Sequence, residues 1–163
     1  MSRILITGTS GFIGRQLAQS MVDRHDVVCL SRQHTQVSDA VIYEGDFTEQ
    51  EALNQMDSHS FDVVIHLAAV TGGCTEADGL RVNVLGAHQV MRYALDRGCR
   101  KFVLASSIAA VGFQSVRFRP LQVPIPDEHP CLDRDGYGLS KYLMEEMTRY
   151  LSRQCNEVDI INI

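Results

Sequence analysis

The chain has no apolar run long enough to cross a bilayer, no C-x-x-C pair and no excess of basic residues. The first absence excludes a membrane-spanning helix. The second, together with six histidines that show no metal-ligand spacing, leaves no metal site to expect. Five cysteines, Cys29, Cys74, Cys99, Cys131 and Cys155, are scattered and odd in number. That pattern fits reduced thiols in a cytoplasm better than a disulfide framework. A formal net charge of -5 argues against nucleic acid as a main partner. No linker, repeat or low-complexity stretch interrupts the 163 residues, and no signal-peptide apolar region precedes the first strand. One domain over residues 1–163 is therefore expected. Proline is confined to one stretch, at Pro120, Pro124, Pro126 and Pro130, which reads as a loop.

What is present alternates between short apolar runs and helical periods. Strands are expected at Ile4–Ile6, Val27–Leu30, Val41–Tyr43, Asp62–Leu67, Lys101–Ala105 and Val158–Ile163. Between them lie an amphipathic helix through Ile13, Leu17 and Met21, and a short helix over Thr48–Met56. For the short helix, Thr48 is the candidate cap with Glu51 three residues on. A long helix follows at about Leu80–Arg97, with Val84, Ala87, Met91 and Ala94 on one face and Gly98 as its C-terminal stop, and a last helix covers about Tyr137–Gln154. Strands alternating with helices predict an α/β fold: a doubly wound parallel sheet, the Rossmann arrangement, with helices on both faces.

The stretch from Gly8 to Gly14 organises this pattern. A buried strand runs into glycines at positions 8, 11 and 14, and a helix opens behind them. Gly8 permits a turn that a Cβ would obstruct, Gly11 lets the backbone approach a pyrophosphate, and Gly14 lets the helix pack closely on the strand. With Ser10, Phe12 and Ile13 between them, these residues form a candidate dinucleotide cradle at the positive end of a helix. At the end of the second strand, where an acidic residue would bind the ribose 2′-hydroxyl of NAD, the chain has Ser31 and Arg32. A hydroxyl and a cation suit a 2′-phosphate, so NADP is expected in preference to NAD, which stays possible. The alternative at Arg32 is a solvated loop arginine.

Tyr137 and Lys141 stand four apart in the last helix and so share a face. A free phenol titrates near 10 and is a poor base at neutral pH. Lowering that value by roughly 3 units takes about 4 kcal/mol of differential stabilisation, which a fixed ammonium and a bound nicotinamide ring can supply in a partly dry site. Tyr137 can then pass a proton while hydride moves to or from the cofactor, with Lys141 also holding ribose hydroxyls.

The Gly8–Gly11–Gly14 spacing, the Gly11-Phe12-Ile13-Gly14 segment and the Tyr137-Gly-Leu-Ser-Lys141 segment together resemble the extended short-chain dehydrogenase/reductases, the NAD(P)-dependent epimerase/dehydratase family. The resemblance implies several further roles. Ser107, at the start of Ser107-Ile-Ala-Ala-Val111-Gly112, would be the third catalytic residue, with Ser106 as competitor. Asp46 and Phe47 would sit by the adenine, unless Asp46 is only a turn residue. Leu67, Ala68 and Ala69 would line ribose and phosphates. Asn83, counted with the cofactor-binding residues, would buttress the site through backbone hydrogen bonds, unless it is an ordinary helix-start asparagine. His66 is expected to be a packed core histidine and Cys74 an inert loop thiol, in a loop from Val70 to Arg81 that is shorter than relatives show.

Members act mostly on nucleotide sugars through a transient keto sugar. Dehydratases follow the serine with Asp-Glu, where this chain has Ile108 and Ala109, so the resemblance points to an epimerase or 4-ketoreductase. A reductase of a non-sugar ketone and a non-catalytic NADP sensor are the alternatives. Relatives continue past the sixth strand, so the substrate-binding C-terminal part is expected to be absent or truncated here, and the sixth strand to present an exposed edge. Leu143, Met147 and Tyr150 on the last helix suit either a homodimer contact or packing on the chain's own sheet.

Overall fold

The computed structural model describes residues 1–113, 115–155 and 157–163. Six strands form one parallel sheet: β1 (Arg3–Thr7), β2 (Asp26–Ser31), β3 (Val41–Glu44), β4 (Val63–His66), β5 (Lys101–Leu104) and β6 (Asp159–Asn162). Their order across the sheet is β3-β2-β1-β4-β5-β6. The chain therefore winds outward in one direction from β1 to β3 and in the other from β4 to β6. The two halves meet between β1 and β4, which pair through Ile4↔Val63 to Thr7↔His66. The carboxyl ends of these two strands frame a crevice, the place where open α/β sheets bind ligands.

Successive side chains alternate between the two faces of the sheet and build a core on each. On one face Leu5, Val64, Phe102 and Leu104 pack against Val90, Met91 and Ala94 of α4 (Ala87–Asp96) and Met144 and Leu151 of α5 (Gly136–Gln154). On the other, Ile4, Ile6, Val27 and Cys29 pack against Ala18, Leu17 and Met21 of α1 (Phe12–Met21). Burial on both sides is why β1 and β2 are continuous apolar runs rather than alternating ones. The doubly wound α/β reading thus holds, and β3 and β6 are the sheet edges.

Several boundaries differ from expectation. The short helix α2 is Gln50–Asn54, and Thr48 does not cap it. The Thr48 N–H and hydroxyl both donate to Asp46 Oδ1, at 2.9 and 2.8 Å, so a local turn captures the intended cap. The long helix starts earlier than Leu80, within the segment expected to be loop. Thr75 caps α3 (Glu76–Asp78) by accepting from the Asp78 N–H, and the chain continues through a π-helical stretch, Gly79–Gly86, into α4. Asn83 is accordingly mid-helix and buried, not a helix-start residue. Val84 sits at the margin of the buried face, which runs through Val82, Asn83, Gly86 and Ala87 instead. Gly98, with φ +89°, ends α4 as anticipated. On α5, Met147 packs against the chain's own core whereas Tyr150 is 51% exposed.

Candidate functional site

The glycine turn closes on the end of β1. The Gly8 N–H donates to the Leu30 carbonyl (3.0 Å) and the Gly11 N–H to the Gly8 carbonyl (3.0 Å). Gly8 has φ +78°, and a Cβ there would lie 2.7 Å from the Ala68 nitrogen. A Cβ at Gly14 would collide with the Gly8 carbonyl oxygen. Both glycines are thus required by close backbone approach. Among the described residues no side chain caps the start of α1, and its first turn carries no acid. Its N–H groups and positive dipole end are left for an anion.

In front of this turn, at the junction of β1 and β4, lies a cavity of about 250 Å³. Gly8, Ser10 and Gly11 form one wall. Ser31 and Arg32 enter from the end of β2, and Asp46 and Phe47 from the end of β3. Leu67, Ala68 and Ala69 follow β4 and close it. Four separate stretches named from the sequence therefore converge on one concavity, and the tight backbone fit at Gly8 and the uncapped helix end suit a diphosphate. Phe12 and Ile13 do not line it; they are 78% and 69% exposed. Thr71 and Val82 also line the cavity and were not anticipated. Val82 had no sequence signal, because the π-helical stretch decides which side of the helix faces inward.

Polar groups at the cavity are partly committed. The Ser31 hydroxyl donates to the Gln33 carbonyl (2.7 Å), while Arg32 is exposed at the rim. Asp46 does form a local turn through Oδ1, as its alternative reading had it, and lines the cavity as well. Asn83 does not reach the cavity. Its Oδ1 accepts from the Val70 N–H and its Nδ2 donates to the Val70 carbonyl, both at 2.9 Å; Nδ2 also donates to Ser140 Oγ at 2.9 Å. Ser140 Oγ in turn donates to the Tyr137 carbonyl (2.7 Å). Asn83 thus ties the segment after β4 to the first turn of α5.

That turn carries the second group of candidates. Asp135, unanticipated, caps α5 by accepting from the Tyr137 and Gly138 N–H groups at 2.8 and 3.0 Å. Tyr137 is half-buried, and the Lys141 ammonium lies 5.8 Å from its ring centre. Lys141 is buried and donates to the Ala105 carbonyl at 2.7 Å. Burial pulls its pKa down to about 8, opposed by the Glu145 carboxylate. Ser107 opens a 3-10 turn, Ile108–Val111, that packs against α5, and its Oγ accepts from the Ala109 N–H (3.1 Å). Ser106 Oγ donates to Glu145 Oε1 and is engaged there.

His66 at the end of β4 is 3% exposed, with Nδ1 2.8 Å from Thr7 Oγ1 and its ring edge-on to Phe47. Burial and then the Lys141 charge drive its pKa down to about 3, so it is neutral, as a packed core histidine should be. A second, more open concavity of about 550 Å³ extends from Ser106 and Ser107 past Glu145 and Arg149 to Asn162. Among the described residues no group of histidine, cysteine and carboxylate side chains is arranged to hold a metal.

Comparison with known proteins bears on the family and the fold. The model of the NAD dependent epimerase/dehydratase family matches residues 4–163. A UDP-glucose 4-epimerase from Halalkalibacterium halodurans is 29% identical over 154 residues, covering 88% of this chain and 44% of that protein. An Escherichia coli O157:H7 4-epimerase of N-acetylglucosaminyl-diphospho-undecaprenol is 30% identical over 149 residues, covering 90% of this chain and 42% of that one. Among solved structures, a short-chain dehydrogenase/reductase superfamily protein from Agrobacterium tumefaciens with bound NAD superposes with a TM-score of 0.82 at 26% identity, over 98% of this chain and 48% of that one. The Bordetella bronchiseptica enzyme WbmG in complex with NAD and UDP gives 0.81 at 25%, over 99% and 52%. The chain spans about half the length of the curated relatives it matches.

Proposed function

Because the chain belongs to the NAD-dependent epimerase/dehydratase family, we propose that it is the nicotinamide-nucleotide-binding part of a nucleotide-sugar epimerase or 4-ketoreductase, with Ser107, Tyr137 and Lys141 as catalytic residues. The observation that carries the reading is the buried Lys141 ammonium beside the Tyr137 ring, on a helix whose first turn is tied through Ser140 and Asn83 to the wall of the β1–β4 crevice. Residues 1–163 act as one dinucleotide-binding domain.

The glycine turn and the open end of α1 hold the diphosphate. Leu67–Ala69 flank ribose and phosphates, Asp46 and Phe47 the adenine side. When bound, the nicotinamide exchanges hydride with a carbon bearing the substrate hydroxyl or keto oxygen. The chain's own residues handle the proton. Tyr137 takes it from the hydroxyl or returns it, and the Lys141 charge favours the phenolate. Ser107 Oγ, already accepting from the Ala109 N–H, donates a hydrogen bond to the reacting oxygen and keeps its proton. Neutral His66 adds no competing cation beneath the site.

Arg32 at the rim supports NADP, since its guanidinium can pair with a 2′-phosphate and no acid occupies the end of β2; NAD-bound neighbours keep NAD as the second cofactor. UDP-sugars head the substrate list because relatives are named for them. The test is transfer of label from 4-deuterated NADPH or NADH into a panel of UDP- and other nucleotide-linked keto sugars. Label in a sugar product is expected. Cofactor binding with no transfer to any of them would leave a binding protein and sink the catalytic reading.

A further inference from the structure

Glu145 stands one helical turn beyond Lys141 and two beyond Tyr137, so all three share one side of α5. Its side chain is 21% exposed. One oxygen, Oε1, accepts from Ser106 Oγ, and the other, Oε2, lies 3.7 Å from Arg149 Nη2. Lys141 meanwhile donates to the carbonyl of Ala105. Helix α5 therefore grips two consecutive residues beyond β5, Ala105 through Lys141 and Ser106 through Glu145, and the next residue is Ser107.

We propose that Glu145 is a positioning residue for the Ser107–Tyr137–Lys141 site: its carboxylate anchors Ser106 in the turn from which Ser107 projects, and its negative charge compensates the buried Lys141 ammonium. The proposal rests on the reading of the site given above. No other carboxylate among the described residues does both. Around Lys141, β4 contributes only neutral His66, and the segment after β5 contributes a carbonyl and two hydroxyls. On the π-helical side Asn83 is neutral, and Asp78 and Arg81 pair with each other at the surface. On α5 itself Tyr137 is the nearest titratable group toward the start of the helix, and Arg149 lies beyond Glu145, where it also pairs with Glu146 and donates to the Asp127 carbonyl (3.2 Å). Burial opposes the ammonium and Glu145 supports it.

The chain has only two lysines, Lys101 and Lys141, so the Lys141 titration can be followed directly by NMR of 13Cε-labelled lysine, with K101R for assignment. Glu145→Gln keeps an acceptor for Ser106 but removes the charge; Ser106→Ala does the reverse. The Lys141 midpoint is expected to fall by about one unit in E145Q and to stay in place in S106A. The Ser107 amide cross-peak is expected to move in S106A and Glu145→Ala and to stay in E145Q. Arg149→Met, a half-exposed change that removes a competing cation, should raise the midpoint and stands in if E145Q does not fold. An unchanged Lys141 midpoint in E145Q, a fall in R149M, or an unmoved Ser107 signal in E145A would overturn the proposal. None of these readouts needs turnover: retained activity in Tyr137→Phe would defeat the reading of the site and leave these titrations as they are.

Discussion

Replacing Lys141 by Met should change how stability depends on pH. In the folded chain burial holds the Lys141 pKa at about 8, against 10.5 for an unhindered lysine. The folded value is the lower one, so between pH 8 and 10.5 the unfolded chain binds more protons than the folded chain. Unfolding free energy must then rise with pH across that window, because deprotonation relieves the cost of a buried charge. The full shift corresponds to about 3 kcal/mol, of which about 1 kcal/mol accrues between pH 8 and 9.

That narrow interval is the useful one. Cys29, pushed up by burial from 9.0 to about 11, and Cys99 and Cys131, also raised by burial, act with the opposite sign as pH approaches 9, and Tyr93, pushed up to about 12, does so higher still; wild type and K141M share all four, so the difference between the two proteins isolates Lys141. Urea unfolding at pH 7, 8 and 9, followed by far-ultraviolet circular dichroism, should show wild type gaining about 1 kcal/mol on K141M from pH 8 to 9 at constant m-value. K141M should keep only the fall that the buried thiols cause over the same step. Parallel profiles for wild type and K141M from pH 8 to 9 would refute the assignment of a charged, desolvated Lys141.

Tyr137→Phe should abolish hydride transfer while leaving cofactor affinity, measured calorimetrically, within about tenfold, or 1.4 kcal/mol; undiminished transfer would remove Tyr137 from the chemistry. Arg32→Ala should weaken NADP binding more than NAD binding, and equal losses would remove the cofactor preference. Asn83→Ala strips both partners from the Val70 backbone and one from Ser140. With buried polar groups left unpaired, it should cost at least about 2 kcal/mol in a denaturant titration, and a loss below 0.5 kcal/mol, roughly that of an ordinary surface change, would contradict the role given to it.

The parts of the site that were legible in the sequence are those whose physics is local. Three glycines after a buried run specify a tight turn and an open helix end with little help from elsewhere. The Tyr137–Lys141 spacing similarly needs only that the segment be helical. What was hidden depends on competition between neighbours or on distant partners. Thr48 with Glu51 and Thr75 with Asp78 carry similar capping patterns, yet only Thr75 caps. At Thr48, Asp46 sits two residues earlier and takes the hydroxyl first. The π-helical stretch has no periodic signature of its own, and it carries the polar Asn83, whose three hydrogen bonds lie 13 and 57 residues away in sequence. Glu145 is bonded to Ser106 across 39 residues, which no spacing rule reports.

The link from Val70 through Asn83 and Ser140 to the Tyr137 carbonyl bears on how the molecule can respond to a ligand. It welds the lip of the crevice to the start of α5, so neither can swing without the other. Whatever narrowing accompanies binding has to come from segments outside that weld, such as the proline-bearing stretch before α5. Amide exchange should accordingly slow together at Val70 and Ser140 when a nicotinamide nucleotide is added, as one block with a single opening free energy.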